Sequence, residues 1–266
     1  MKLRLMCQMV MQAAGLLYAS VRYEGRMPNI ENHPRGVVYS LPFSGRWAVI
    51  NGGVTEATSH SWEIYPQRYA YDFLILDDEG NSFSGDEKAL PSYYCYGKDL
   101  LAPADGVVVA VKDGFPDCRI MDDGGTDPAT PDIGGNRVII RHAPREYSAL
   151  CHLQCGSVVV HKGQVVQRGD AVGRCGNSGN TTQPHLHFQL QNAKGFYSSG
   201  GVPARFGGIK MTDIPNCDTH LHYTGAEETA RKSGYLCRGV NVENLYGRPM
   251  GLRPGNLYKK WLIKRL

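Results

Sequence analysis

A mainly β fold, a compact barrel or sandwich of short antiparallel strands with long loops plus an N-terminal helix, is predicted by three observations. Thirty-two glycines and 15 prolines among 266 residues punctuate the chain with tight turns. Between them stand short apolar runs rich in valine and isoleucine, the signature of strands. Helical periodicity is concentrated at the N-terminus. Hydrophobic residues make up 42% and charged residues 20%, ordinary globular usage that argues against a disordered chain or a membrane bundle. The length suits one sizeable domain with extensions.

Residues 1–20 open with Lys2 and Arg4 and continue apolar, superficially like a secretory signal. Gln8 and Gln12 interrupt that run, and no small-x-small cleavage site is clear. Met6, Met9, Val10, Ala13, Ala14 and Leu17 fall at helical spacing on one face, which predicts an amphipathic helix. No stretch reaches the ~20 apolar residues that span a bilayer. Pro28, Pro34 and Pro42, with Gly25, Gly36 and Gly45, make 21–45 a connecting segment.

Trp47 to Ile50 reads as a strand entering a turn at Asn51-Gly52-Gly53, and Tyr69 to Ile75 as the next strand. Residues 77–98, rich in Asp, Gly and Ser, form an inserted loop longer than most connections in compact domains, and so a rim for a site. Four further runs follow: Asp105 to Val111, Asn136 to Ile140, Ser157 to Val160 and Gly169 to Gly173. Residues 113–135 form a second long loop. Periodicity fades beyond about residue 215. The expected division is an N-terminal helix and connecting segment (1–45), a β domain (46–215) and a C-terminal appendage with a basic end (216–266).

The formal charge of +4 is mild. Aromatic and basic residues do not interleave through the body of the chain, so nucleic acid is not an expected partner. Tyr258 to Leu266 gathers basic side chains around apolar ones. It reads as a solvated tail, with contact to a membrane surface or an anionic polymer as the alternative. Eight cysteines form no C-x-x-C pair, which argues against a zinc ribbon or a thioredoxin-like motif. Their even number suits disulfides, but the spacing shows no pairing, and buried free thiols are equally common.

The strongest local signal is Asn177 to Leu190, where a polar glycine turn meets a strand carrying Pro184-His185-Leu186-His187-Phe188. Side chains two apart share a face, so His185 and His187 project together while Leu186 and Phe188 point into the opposite layer. One imidazole can bind a cation while the other acts on a water beside it. A third histidine, His152, lies in the apolar run Tyr147 to Leu153, where a buried imidazole needs a hydrogen-bond partner. His220-Leu221-His222 repeats the spacing without the proline or the strand context and reads as incidental, as do His33, His142 and His161.

Together these segments resemble the lysostaphin-type zinc metallopeptidases, which share a Tyr-x-x-x-His-Leu-like strand, a glycine-valine turn and a Pro-His-Leu-His-Phe strand. The corresponding segments here are Tyr147 to Leu153, Gly163 to Gly173 and Pro184 to Phe188, and Ala102 to Val108 is similar to the family's barrel entry. The resemblance covers roughly 47–195. It implies His187 as a zinc ligand, with His152 and His185 as catalytic histidines beside the bound water. It also implies an aspartate ligand, Asp72, with a histidine four residues ahead of it. That position here is Arg68, so the expected third ligand is His60, brought back by an outward-folding insertion. Two imidazoles, one carboxylate and an open fourth position are the donor set of catalytic zinc.

The function so implied is zinc-dependent endopeptidase action on peptidoglycan peptides, outside the cytoplasmic membrane or associated with the cell envelope. One rival is a metal-free relative that binds or activates a cell-wall partner. Another is a sugar-transport phosphocarrier with two facing histidines, which has no use for a metal-binding aspartate. No Gly-x-Ser-x-Gly turn or phosphate-cradling glycine loop offers competing chemistry.

Overall fold

The computed structural model describes residues 2–23, 26–33, 36–130, 132–215, 217 and 225–245. A first helix, α1 (Lys2–Tyr23), precedes β1 (Trp47–Asn51), β2 (Tyr71–Leu74), β3 (Asp99–Leu101), β4 (Gly106–Lys112), β5 (Asn136–Ala143) and β6 (Glu146–Leu153). Then come β7 (Val165–Val166), β8 (Ala171–Arg174), β9 (Leu186–Gln191), β10 (Gly201–Val202), β11 (Ile209–Asp213), the short helix α2 (Gly225–Lys232) and β12 (Val240–Asn244). The fold is mainly β, as expected, with an N-terminal helix. Nine strands lie side by side in the order β11-β12-β1-β2-β9-β6-β5-β4-β7, β10 pairs with β9, and β3 and β8 form a separate ribbon. The path ends at β11 and β7 without closing, so the architecture is an open sheet and not a closed barrel.

Alternation explains why the sheet holds. In β9, Leu186, Phe188 and Leu190 enter the core, where they join Phe73, Leu150, Ile140 and Val108 from neighbouring strands and Leu100 and Val172 from the small ribbon. The opposite face of β9 carries His187, Gln189 and Gln191. Burying a leucine or phenylalanine in such a core contributes about 1.5–3 kcal/mol. Segments outside the expected β domain add to the same core: Tyr39, Leu41 and Phe43 precede β1, and Val240 and Val242 come from β12. β12 pairs with β1 through Trp47 and Val242.

One expected strand needs correction. Residues 157–160 form no strand: Val159 is 67% exposed, its amide makes a single bond to the Val172 carbonyl of β8, and the Val158 amide is taken by the Asp113 carboxylate, so no ladder develops. The expected helix α1 is present, and its apolar residues Met6, Val10, Ala13, Ala14 and Leu17 stand outward, exposed. It packs through Gly15 and Ala19. A Cβ on Gly15 would lie 2.2 Å from the Tyr197 carbonyl oxygen, so the small residue permits the close approach. Farther along, the Tyr23 hydroxyl donates to Asn192 Oδ1 at 2.8 Å.

Candidate metal centre and catalytic cleft

Antiparallel pairing puts Asp72 of β2 directly opposite His187 of β9, and β9 in turn sets His187 opposite Cys151 of β6. His152 follows on β6, and His185 stands one residue ahead of β9. All five expected site residues, His60, Asp72, His152, His185 and His187, line one cleft of about 320 Å³, together with Gln12 of α1, Gly134 and Thr181.

His60 reaches the cleft on an irregular segment that loops out between β1 and β2. Arg68, at the position where a ligand was expected, turns away from the cleft. Its Nε donates to the Trp62 carbonyl at 2.8 Å, and its guanidinium lies over the Trp62 and Tyr65 rings. The Ser59 hydroxyl donates to the Arg68 carbonyl at 2.8 Å and closes the loop.

His60, Asp72 and His187 offer ligand atoms that all lie within 4.8 Å of one another, a group able to hold a metal ion. His187 Nδ1 is 3.0 Å from Asp72 Oδ1, and His60 Nε2 is 3.6 Å from Asp72 Oδ2. His185 Nε2 stands 3.6 Å from Asp72 Oδ1. The His152 ring lies 4.8 Å from that of His185 and 5.8 Å from that of His187, measured between centroids.

The charges are mutually adjusted. Burial works to raise the Asp72 pKa, but His185, the His187 hydrogen bond and His60 outweigh it and hold the carboxyl well below the usual range. Burial works to lower His187, whereas the hydrogen bond and charge of Asp72 leave it raised. His60 is lowered by burial, partly offset by Asp72. His152 is held well below the ordinary imidazole range, by burial first and then by His185 and His187.

Hydrogen bonds around the histidines set their tautomers. His152 Nδ1 donates to the Ser178 carbonyl at 2.7 Å, and His185 Nδ1 to the Gln183 carbonyl at 2.8 Å, so each presents Nε2 as its acceptor. His152 also sits at φ 62°, a left-handed backbone rarely taken by non-glycine residues. Ser178 approaches closely because Gly135, at φ 56°, has no Cβ; one there would meet the Ser178 oxygen at 2.1 Å. The 113–135 loop is anchored by buried Asp132, which takes hydrogen bonds from Lys112, Arg137 and the Gly134 amide. The Gly134 carbonyl accepts the His152 amide at 3.2 Å. The 77–98 loop buttresses the turn before His185: Ser82 Oγ donates to Gln183 Oε1 at 2.8 Å, and Cys95 Sγ to the Pro184 carbonyl.

Several contributors escaped sequence reasoning. Asn51 Nδ2 donates to Asp72 Oδ2 at 3.1 Å. His187 Nε2 meets Gln189 Oε1 at 3.0 Å, Gln189 Nε2 donates to Gln191 Oε1, and Gln191 Nε2 to the Ala193 carbonyl. The signal for this chain was available, since Gln189 and Gln191 continue the same i, i+2 face as His185 and His187. The residues read as incidental lie elsewhere: His33 is 3.7 Å from Glu146, His142 is buried against Ser148, and His161 is exposed. His220 and His222 fall outside the described residues, as does the basic tail 258–266. Cys95, Cys118, Cys151, Cys155 and Cys175 are free thiols, and all but Cys155 are buried.

Comparison with known proteins gives one family match, "Peptidase family M23", over residues 92–198, a span that includes His152, His185 and His187 but neither His60 nor Asp72. The peptidoglycan DD-endopeptidase ShyA of Vibrio cholerae is 34% identical over 90 residues, which are 34% of this chain and 20% of that protein. An uncharacterized metalloprotease of Haemophilus influenzae is 32% identical over 94 residues, 35% of this chain and 16% of its own. The matched region thus spans a fifth or less of these two relatives. Among solved structures, the catalytic domain of the antimicrobial peptidase lysostaphin from Staphylococcus simulans is 21% identical, covering 64% of this chain and 90% of that one, with a TM-score of 0.31.

Proposed function

We propose, from the premise that residues 92–198 belong to peptidase family M23, that this chain is a zinc-dependent endopeptidase acting on peptide bonds of peptidoglycan stem peptides or cross-bridges. The observation that carries the reading is the convergence of His60, Asp72 and His187 beside His152 and His185. Such a substrate places its work outside the cytoplasmic membrane.

The residues fit zinc. Two imidazoles and one carboxylate with room for a further ligand form a catalytic donor set, and tetrahedral ligands about 2.1 Å from an ion lie roughly 3.4 Å apart. The separations of 3.0 and 3.6 Å around Asp72 bracket that value. With His187 Nε2–H donating to Gln189 Oε1, Nδ1 is the ring nitrogen left to a cation, which would replace the proton it shares with Asp72. Such outer partners orient a ligand and sharpen its basicity. Zinc in this place supplies Lewis acidity, which polarises the scissile carbonyl and eases deprotonation of water.

The protein's own groups do the rest. His152, kept neutral by burial, accepts the proton of the attacking water at Nε2. His185, whose Nε2 is 3.6 Å from Asp72, takes the remaining role, a hydrogen bond to the developing oxyanion once the proton of the attacking water has been passed to its Nε2. The cleft that Gln12, Phe196 and the site residues line is where the peptide would lie.

Metal analysis combined with hydrolysis of purified peptidoglycan tests the reading. One zinc per chain and release of peptide amines, abolished by a chelator and restored by zinc, are expected. His152→Ala or His185→Ala keeps the metal and loses turnover. Folded protein that takes up no zinc on incubation would overturn the assignment in favour of a metal-free binding module.

A further inference from the structure

The helix α1 turns its apolar side away from the protein. Met6 is 59% exposed, Val10 62%, Leu17 68% and Val21 74%. At ~100° per residue, Met6, Val10, Ala13, Leu17 and Val21 fall within an arc of about 80°, whereas the packed Gly15 and Ala19 lie roughly opposite. Tyr18 and Met11, 51% and 46% exposed, widen the apolar side. A surface helix normally shows the reverse arrangement, with the apolar stripe on the core.

Charge identifies what covers this face. Residues 1–23 contain Lys2, Arg4 and Arg22 and no Asp or Glu, and Glu24 and Arg26 follow, so 1–26 holds four basic residues and one acidic one. An apolar face on a net-cationic segment matches an interfacial helix on anionic lipid. A second copy fits poorly, because it would bring two net-cationic segments together with only Glu24 of each against four basic residues. Among the described residues no helix is long and apolar enough to cross a membrane.

We infer that α1 docks on an anionic phospholipid bilayer, lying in its surface with Met6, Val10, Leu17 and Val21 inserted among the acyl chains. This docking does not depend on the peptidase reading. The helix packs through Gly15 and Ala19 while its outer face enters the lipid, so the body of the protein stays folded on the membrane. The cleft then lies close to the bilayer, because Gln12 of the same helix lines its wall.

The full chain is mixed with vesicles of phosphatidylcholine alone or with one-third phosphatidylglycerol, and bound protein is separated by flotation. Binding to the phosphatidylglycerol vesicles is expected, at least tenfold weaker on phosphatidylcholine and reduced at high salt. Leu17→Glu with Val21→Glu should lower it at least tenfold. The uncharged pair Val10→Gln and Leu17→Gln should act in the same direction, which keeps the test valid if the first variant folds poorly. Val159→Glu, exposed on the body of the protein, should leave binding unchanged. Equal binding by both helix variants would place lipid contact elsewhere in the chain and overturn the inference. A dimer that the helix variants dissolve, without vesicle binding by the parent, would do the same in favour of a second copy.

Discussion

His142 makes the fold acid-labile by an amount that can be worked out. The imidazole is fully buried, its Nδ1 donating to the Asp105 carbonyl at 2.9 Å and its Nε2 2.7 Å from the Ser148 hydroxyl, which donates to it. Burial, the largest influence, pulls its pKa down to about 4, against a partial upward pull from the Asp105 carbonyl and Glu146. In the unfolded chain it titrates near 6.5. Between these values the unfolded state binds a proton that the folded state refuses, so stability falls as the pH drops from about 6.5 to about 4 and levels off below that. At 1.36 kcal/mol per pH unit the loss is about 3 kcal/mol, a large part of a typical stability of about 5–15 kcal/mol. Urea unfolding of metal-free protein from pH 8 to 4 measures it, with His142→Gln as the comparison. Glutamine keeps a donor and an acceptor but cannot titrate, so the variant's stability should depend less steeply on pH over this window, by up to one proton. An identical slope in parent and variant, or an NMR titration of His142 near 6.5 in the folded protein, would refute the reasoning.

Three further outcomes are expected. His187→Ala, Asp72→Ala and His60→Ala should each lose zinc and hydrolysis together, read by metal analysis and peptide release; full zinc content in His60→Ala would remove that residue from the site. Gln189→Leu should weaken zinc affinity by roughly ten- to a hundredfold, because His187 loses the partner that fixes its tautomer; competition against a chromophoric chelator measures this. Gly135→Ala should destabilise the protein by roughly 1–3 kcal/mol and slow hydrolysis while keeping zinc. Its new Cβ displaces the Ser178 carbonyl that orients His152, and thermal unfolding with metal analysis separates the two effects.

The sheet and much of the cleft were legible because strand alternation is a local property. Pro184 to Phe188 announces both its faces in five residues, and the structure divides them that way. Residues 157–160 misled because a valine run reads as a strand whether or not a neighbour is free to pair with it. The short β3, β10, β11 and β12 were missed because runs of two to five residues carry too little alternation to be read as strands. The helix was visible in its periodicity, but periodicity says only that one side is apolar, not which side meets the protein. The open sheet in place of a barrel depends on how the edges β11 and β7 end, which no local pattern encodes.

The loop between His60 and Asp72 bears on how such sites are sought. Stretching the interval from four positions to twelve costs, by the logarithmic dependence of loop closure on length, only about 1 kcal/mol of chain entropy. The Arg68 and Ser59 hydrogen bonds and the stacking of Arg68 on Trp62 and Tyr65 are of the size needed to offset it. Distance along the chain between these two side chains is therefore only weakly constrained, whereas their distance in space is tightly so. A search that fixes the interval between histidine and aspartate would pass over this chain, and one that fixes the β2–β9 pairing of Asp72 with His187 would find it.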